Sequence, residues 1–270
     1  MSREDLLKVD GVVTESLSGS RFSVKLADGR IIFEAQFAGR SRVVAARPGE
    51  QWLPLVETSE ETFVPAAVIN DEQIACLIGR SPRQTVALVS TKNGQIISRL
   101  KATEGKAIAA LAASPDGKRL YFVESQTVWV LSIPDGEPRR ISAGDGVAPS
   151  RDGRYLIVQL NDKNRVVLTK VAIDGSNPQP ISLKLDNLEL SSMALSPNAV
   201  APDGRIVLSV TSPPSWFQSA AIMDPGTGRL ERVPTKFSGD IHYPSWTKDG
   251  RIIAAGFPMR SSIWRFRPEN

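Results

Sequence analysis

Ser114-Pro115-Asp116-Gly117-Lys118 runs into the apolar stretch Leu120-Tyr121-Phe122-Val123, and the same arrangement returns along the chain. Ser150-Arg151-Asp152-Gly153-Arg154 leads into Leu156-Ile157-Val158, and Ala201-Pro202-Asp203-Gly204-Arg205 into Ile206-Val207-Leu208. Thr247-Lys248-Asp249-Gly250-Arg251 leads into Ile252-Ile253, and near the start Ala27-Asp28-Gly29-Arg30 precedes Ile31-Ile32-Phe33. The five aspartates are spaced by 88, 36, 51 and 46 residues, so the first interval is twice a period of about 44. A sixth, degenerate copy fits the gap: Asp71 stands 43 residues after Asp28 and 45 before Asp116, and Gln73-Ile74-Ala75-Cys76-Leu77-Ile78 follows it.

Each Asp-Gly lies between two short β-type runs. Glycine supplies the positive φ of a tight hairpin turn, and aspartate tolerates or caps it. Units of roughly forty residues carrying several short strands are the signature of a β-propeller, in which each blade is a four-stranded sheet packed on its neighbours. The expected fold is therefore all-β, a six-bladed propeller filling residues 1–270 as one domain.

These stretches resemble the TolB-type, WD-like propeller repeat, whose hallmark is Trp-Ser-Pro-Asp-Gly. Only Trp246 stands at the family's tryptophan position, with Ala113, Pro149 and Val200 in other units. Such repeats occur in TolB-like periplasmic proteins, in sensor domains of bacterial serine/threonine kinases and in the lid of prolyl-oligopeptidase-like peptidases. The resemblance thus implies a fold more sharply than a function.

The two ends of the chain read as complementary. Ile263-Trp264-Arg265-Phe266 is a third strand with no fourth behind it, while the segment from Val12 to Ser18 reads as a spare outer strand. The expectation is that this N-terminal strand closes the last blade and removes an open edge. The connection from Leu183 to Val200 and the stretch Ser212-Pro213-Pro214-Ser215-Trp216-Phe217-Gln218 depart from the repeat and read as insertions on one face. Trp129 and Trp264 match in position and read as aromatics filling space between blades.

The chain has 270 residues, 41% of them hydrophobic, with net charge +4 and pI near 9.3. That suffices for a full core and falls short of the clustered basic runs of nucleic-acid binders. No apolar stretch approaches the roughly 20 residues of a membrane span, and Leu6-Leu7 is broken at once by Lys8 and Asp10. Taken as complete the chain is expected in the cytoplasm; as the tail of a membrane-anchored kinase it is expected outside. Cys76, the one cysteine, falls in an apolar run and reads as core.

Marks of catalysis are missing from the sequence. His242 is the only histidine, no Gly-x-Ser-x-Gly elbow is present, and the residues around Gly105-Lys106 lack the phosphate-loop pattern. No catalytic residue, metal or cofactor is expected. His242 reads first as a residue lining the funnel. The expected function is that of a non-enzymatic module recognising a protein, peptide or small ligand on one face. The alternative is a lactonase-like propeller hydrolase or the gating propeller of a peptidase. Strand parity puts first and third turns on one side of the disc, leaving second turns and blade connections on the other. There Arg40, Arg42, Arg80, Arg83, Lys163, Arg165 and Arg260 form an expected positive arc for an anionic protein or peptide, with Trp216 and Phe217 as aromatic anchor and His242 as a further contact.

Overall fold

The computed structural model describes residues 22–25, 28–47, 50–80, 83–163, 165–213 and 215–258. They form five four-stranded antiparallel blades and one two-stranded sheet. Blade 1 consists of β1 (Phe22–Lys25), β2 (Ile31–Phe37), β3 (Arg40–Ala46) and β4 (Leu53–Pro54). Blade 2 consists of β5 (Thr62–Asn70), β6 (Gln73–Ile78), β7 (Thr85–Ser90) and β8 (Ile96–Leu100). Blade 3 has β9 (Ile108–Ala113), β10 (Arg119–Glu124), β11 (Thr127–Ser132) and β12 (Arg139–Ala143), and blade 4 has β13 (Gly146–Pro149), β14 (Tyr155–Asp162), β15 (Arg165–Ala172) and β16 (Gln179–Pro180). Blade 5 is β17 (Glu189–Leu190), β18 (Ile206–Ser212), β19 (Ser215–Met223) and β20 (Leu230–Arg232); β21 (Gly239–Trp246) and β22 (Ile252–Pro258) make the two-stranded sheet.

The six complete blades expected are therefore not found: among the described residues there are five, and a sixth sheet of two strands. The Asp-Gly motif, at five turns, and the Asn70-Asp71 turn between β5 and β6 each mark the joining of a first strand to a second, which is only half a blade. The strands expected at 12–18 and 263–266 lie outside the described residues. The sheet β21-β22 packs against β18 and β19 on one side, and β21 touches β1 on the other.

Apolar residues collect between blades. One cluster joins Ile32, Val43 and Ala45 of blade 1 to Ile74, Cys76 and Val89 of blade 2, and a second joins Leu77 and Leu88 to Leu120 and Phe122 of blade 3. A third places Tyr121 and Val123 against Leu156 and Val158, and the largest gathers Ile157, Val207, Leu208 and Trp246. Because both faces of a second strand meet a neighbour, Leu120-Tyr121-Phe122-Val123 is buried throughout, whereas the outer strand β12 has no buried residue. Full burial of one such side chain stabilises by roughly 1.5–3 kcal/mol. Trp129 stacks on Phe122 at 6.4 Å and belongs to the cluster between blades 2 and 3.

The turn aspartates are structural. Oδ1 of Asp28, Asp116, Asp152 and Asp203 accepts the backbone N–H two residues on, at 3.0 to 3.1 Å. Arg30, Arg154 and Arg205 fold back onto the second oxygen at 2.6 to 2.7 Å. In the degenerate second unit Asn70 takes over, its Oδ1 accepting the Glu72 N–H at 2.9 Å.

Neither expected insertion is a protruding loop. Ser212 pairs with Ser215, so Trp216, Phe217 and Gln218 continue β19. The segment leading to Val200 sinks into blade 5: Leu195, Ala199 and Val200 are buried, and Asn161 and Gln159 donate to the carbonyls of Ser192 and Met193 at 2.9 and 2.8 Å.

Candidate binding face

Because each blade's strands are joined in sequence order, its turns alternate between the two ends of the sheet. Contacts between blades agree with that assignment. On the Asp-Gly side Arg30 Nη2 donates to the Thr91 carbonyl at 2.9 Å, and Arg139 Nη1 to the Asp174 carbonyl at 2.7 Å. On the other side Arg40 Nη1 donates to the Ser59 carbonyl at 2.8 Å, joining a second turn to a blade connection.

At this second place the surface is concave. Ala38 and Gly39, with φ of +50° and +76°, turn the chain tightly enough to set Arg40 at the first position of β3. Gly79, at φ +96°, ends β6 and donates its N–H to the Glu61 carbonyl at 3.0 Å. Arg40, Ser59, Glu60, Glu61, Gly79 and Arg80 line a hollow of about 270 Å³ between blades 1 and 2.

Two guanidinium groups and two carboxylates line the hollow, and Arg42 and Arg99 contact Glu60 beside it. Arg80 Nε lies 3.1 Å from Glu61 Oε2 with its own side chain 78% exposed. Arg99, on β8, pairs with Glu60 through both carboxylate oxygens; its hydrogen bonds hold the Glu60 carboxyl below the usual range, and Glu60 in turn raises the Arg99 pKa. Arg42 donates to the Glu60 carbonyl, and Arg40 to that of Ser59. These last two cations thus rest on carbonyls and have no carboxylate partner among the described residues. Arg83 follows on the same turn as Arg80, its N–H donating to the Arg80 carbonyl at 2.7 Å.

The remaining candidates are placed elsewhere. Lys163, at φ +53°, and Arg165 sit on the second turn of blade 4, where Arg165 Nη2 is 3.7 Å from Asp162 Oδ2. Carboxylates are interspersed on this part of the rim: Asp145 accepts from Gln126 Nε2 at 3.2 Å and from the Asn161 N–H at 2.7 Å, and Asp240 accepts the Gln218 N–H at 2.7 Å. The cationic groups that come together are therefore Arg40, Arg42 and Arg80, with Arg83 beside them. Phe217 is 38% exposed on blade 5. Trp216 lies in β19 with its side chain outside the described set, and Arg260 lies outside the described residues. Arg99 is a contributor that a search of turns passes over, since it stands at an exposed alternate position of an outer strand.

His242 lies on β21 with its ring 4.7 Å from Phe257 and 6.1 Å from Tyr243. Burial lowers its pKa, and Asp240 partly offsets this. Cys76 is fully buried, its thiol pushed up to about 12 by desolvation. Among the described residues no group of three or more His, Cys, Asp or Glu could hold a metal ion. Among them, too, no helix is long and apolar enough to cross a membrane.

No family model and no curated protein matches the chain. Solved structures do. The putative TolB from Agrobacterium tumefaciens aligns at TM-score 0.66 and 17% identity over 89% of this chain and 91% of that one. TolB from Acinetobacter baumannii aligns at 0.59 and 18% over 86% of this chain and 56% of its own. Puromycin hydrolase aligns at 0.58 and 15% over 90% of this chain and 46% of that one. An oligogalacturonate lyase and a nidogen/laminin complex are also similar in fold. The chain is an all-β propeller with TolB-like propellers among its structural neighbours, and the likeness is one of fold.

Proposed function

We infer that this propeller is a non-enzymatic binding module that takes up a protein or peptide bearing acidic side chains on the face opposite the Asp-Gly turns. The observation that carries the reading is the hollow between blades 1 and 2, where Arg80 is exposed and where Arg40, with Arg42 beside it, has no carboxylate partner among the described residues. Guanidinium groups offer planar paired donors to carboxylates, and a local excess of positive charge speeds encounter with an acidic partner. Propellers similar in fold include TolB and one from a nidogen/laminin complex, which favours a protein partner. On this reading the natural settings are a TolB-like component or the sensor domain of a bacterial kinase.

The test is titration of an acidic peptide library against the protein and against Arg40→Glu with Arg80→Glu. The expected result is binding that weakens as salt rises and drops at least about tenfold in the double variant, by loss and reversal of two charge-assisted contacts. Equal binding by the variant would contradict the reading. So would turnover of ester, lactone, peptide or uronate substrates, since similar folds include a hydrolase and a lyase.

A further inference from the structure

On the opposite side of the disc two cations link the turns of non-adjacent blades. The residue just before the turn aspartate, or before Asn70 in the second unit, is Ile69, Pro115, Arg151, Pro202 or Lys248 in the described units from the second blade on. These turns sit close around the ring: a Cβ on Gly153 would lie 3.7 Å from Pro115, and one on Gly117 2.8 Å from the Ile69 carbonyl. Where the residue is a long cation, it reaches past the adjoining blade. Arg151 Nη2, on blade 4, donates to the Trp246 carbonyl of the two-stranded sheet at 3.2 Å, skipping blade 5. Lys248, two residues beyond Trp246, pairs with Asp71 of blade 2 at 2.6 Å, skipping blade 1. Arg151 thus reaches the turn after β21 from which Lys248 extends, while the Lys248 ammonium itself is drawn to Asp71.

Their charges are unequally compensated. Lys248 has Asp71, and both side chains are largely exposed. Among the described residues Arg151 has one backbone carbonyl and no carboxylate, and burial alone lowers its pKa. A guanidinium carries five N–H donors and loses much of its hydration when covered, so a partly buried one without a counter-ion is costly. An oxyanion at this place would take the unused donors in paired geometry and gain Lys248 as a second contact. Asp71 competes with such a ligand for Lys248.

The geometry points to an oxyanion site on the Asp-Gly side, formed by Arg151 and Lys248 and held in check by Asp71. The ligand class is a phosphate or a carboxylate, and the site is separate from the hollow between blades 1 and 2.

The experiment is calorimetric titration of the whole chain with sodium phosphate and, separately, sodium acetate, at ionic strength matched with sodium chloride. Binding is expected for at least one anion, and the stronger of the two identifies the ligand class. Arg151→Gln and Lys248→Gln should each weaken it at least about fivefold, as removal of a charge-assisted contact does. Asp71→Asn should tighten it about threefold or more, because it frees Lys248. Arg40→Gln, in the hollow, should leave it unchanged. If Arg151→Gln fails to fold, the exposed pair Lys248→Gln and Asp71→Asn carries the test alone. The proposal is overturned if neither anion binds, if Lys248→Gln binds as the parent does, if Asp71→Asn weakens binding, or if Arg40→Gln is the variant that abolishes it.

Discussion

Ser150 and Asp152 show how much one turn depends on single atoms. Ser150 Oγ donates to Asp152 Oδ1 at 2.7 Å and accepts the N–H groups of Arg154 and Tyr155 at 3.2 and 3.1 Å. That donation, followed by the Arg154 N–H and side chain, holds the Asp152 carboxyl at about 2. A carboxyl lowered in the folded state stabilises the fold above its unfolded value near 3.8, and the contribution is lost as pH falls through about 2. Ser150→Ala should therefore raise the Asp152 titration midpoint, read by carboxyl-carbon NMR. It should cost about 1 kcal/mol in urea unfolding at pH 7, and less at pH 2. Glycine is required for two separable reasons. Gly250 has φ +76° with open space around a would-be Cβ, whereas at Gly117, φ +67°, that Cβ would meet the Ile69 carbonyl at 2.8 Å. Gly250→Ala should cost about 1 kcal/mol and Gly117→Ala clearly more, measured by chemical denaturation.

At the scale of strands, the hairpins were legible and the blades were not. Asp-Gly before an apolar run is a local signal, so β9-β10, β13-β14 and β21-β22 could be read from a few residues each. Completing a blade depends on outer strands such as β4 and β16, two residues each, whose exposed sequence carries little periodicity. The connection before Val200 misled for a related reason. Its serines, proline and asparagines look like a surface loop, yet Leu195 is 5% exposed, and buried Gln159 together with Asn161 satisfies the carbonyls of Met193 and Ser192 just before it. Leu195→Ala should consequently cost about 2–5 kcal/mol, as a core truncation does. A loss below about 0.5 kcal/mol would mark the segment as the surface insertion its composition suggests.

Over the whole molecule, the cations that gather do so at the junction of blades 1 and 2. Parity puts Arg40, Arg42 and Arg80 on one side, because it needs only the strand order. It could not show that Glu60 would be claimed by Arg99 from an outer strand, or that Asp145 and Asp240 would intersperse acid along the rim of blades 3 to 5. Those pairings depend on side chains distant in sequence, as does the approach of Lys248 to Asp71 across the disc. Of the expected arc, Arg40, Arg42 and Arg80 with Arg83 form a patch on blades 1 and 2, while Lys163 and Arg165 stand apart on blade 4. Amide hydrogen exchange, with and without an acidic peptide selected from the library, locates the bound ligand on the disc. Protection is expected in residues 38–42, 59–61 and 79–84, with little change at the turns around Asp116, Asp152 and Asp203. Protection confined to those Asp-Gly turns would contradict the assignment of the binding face.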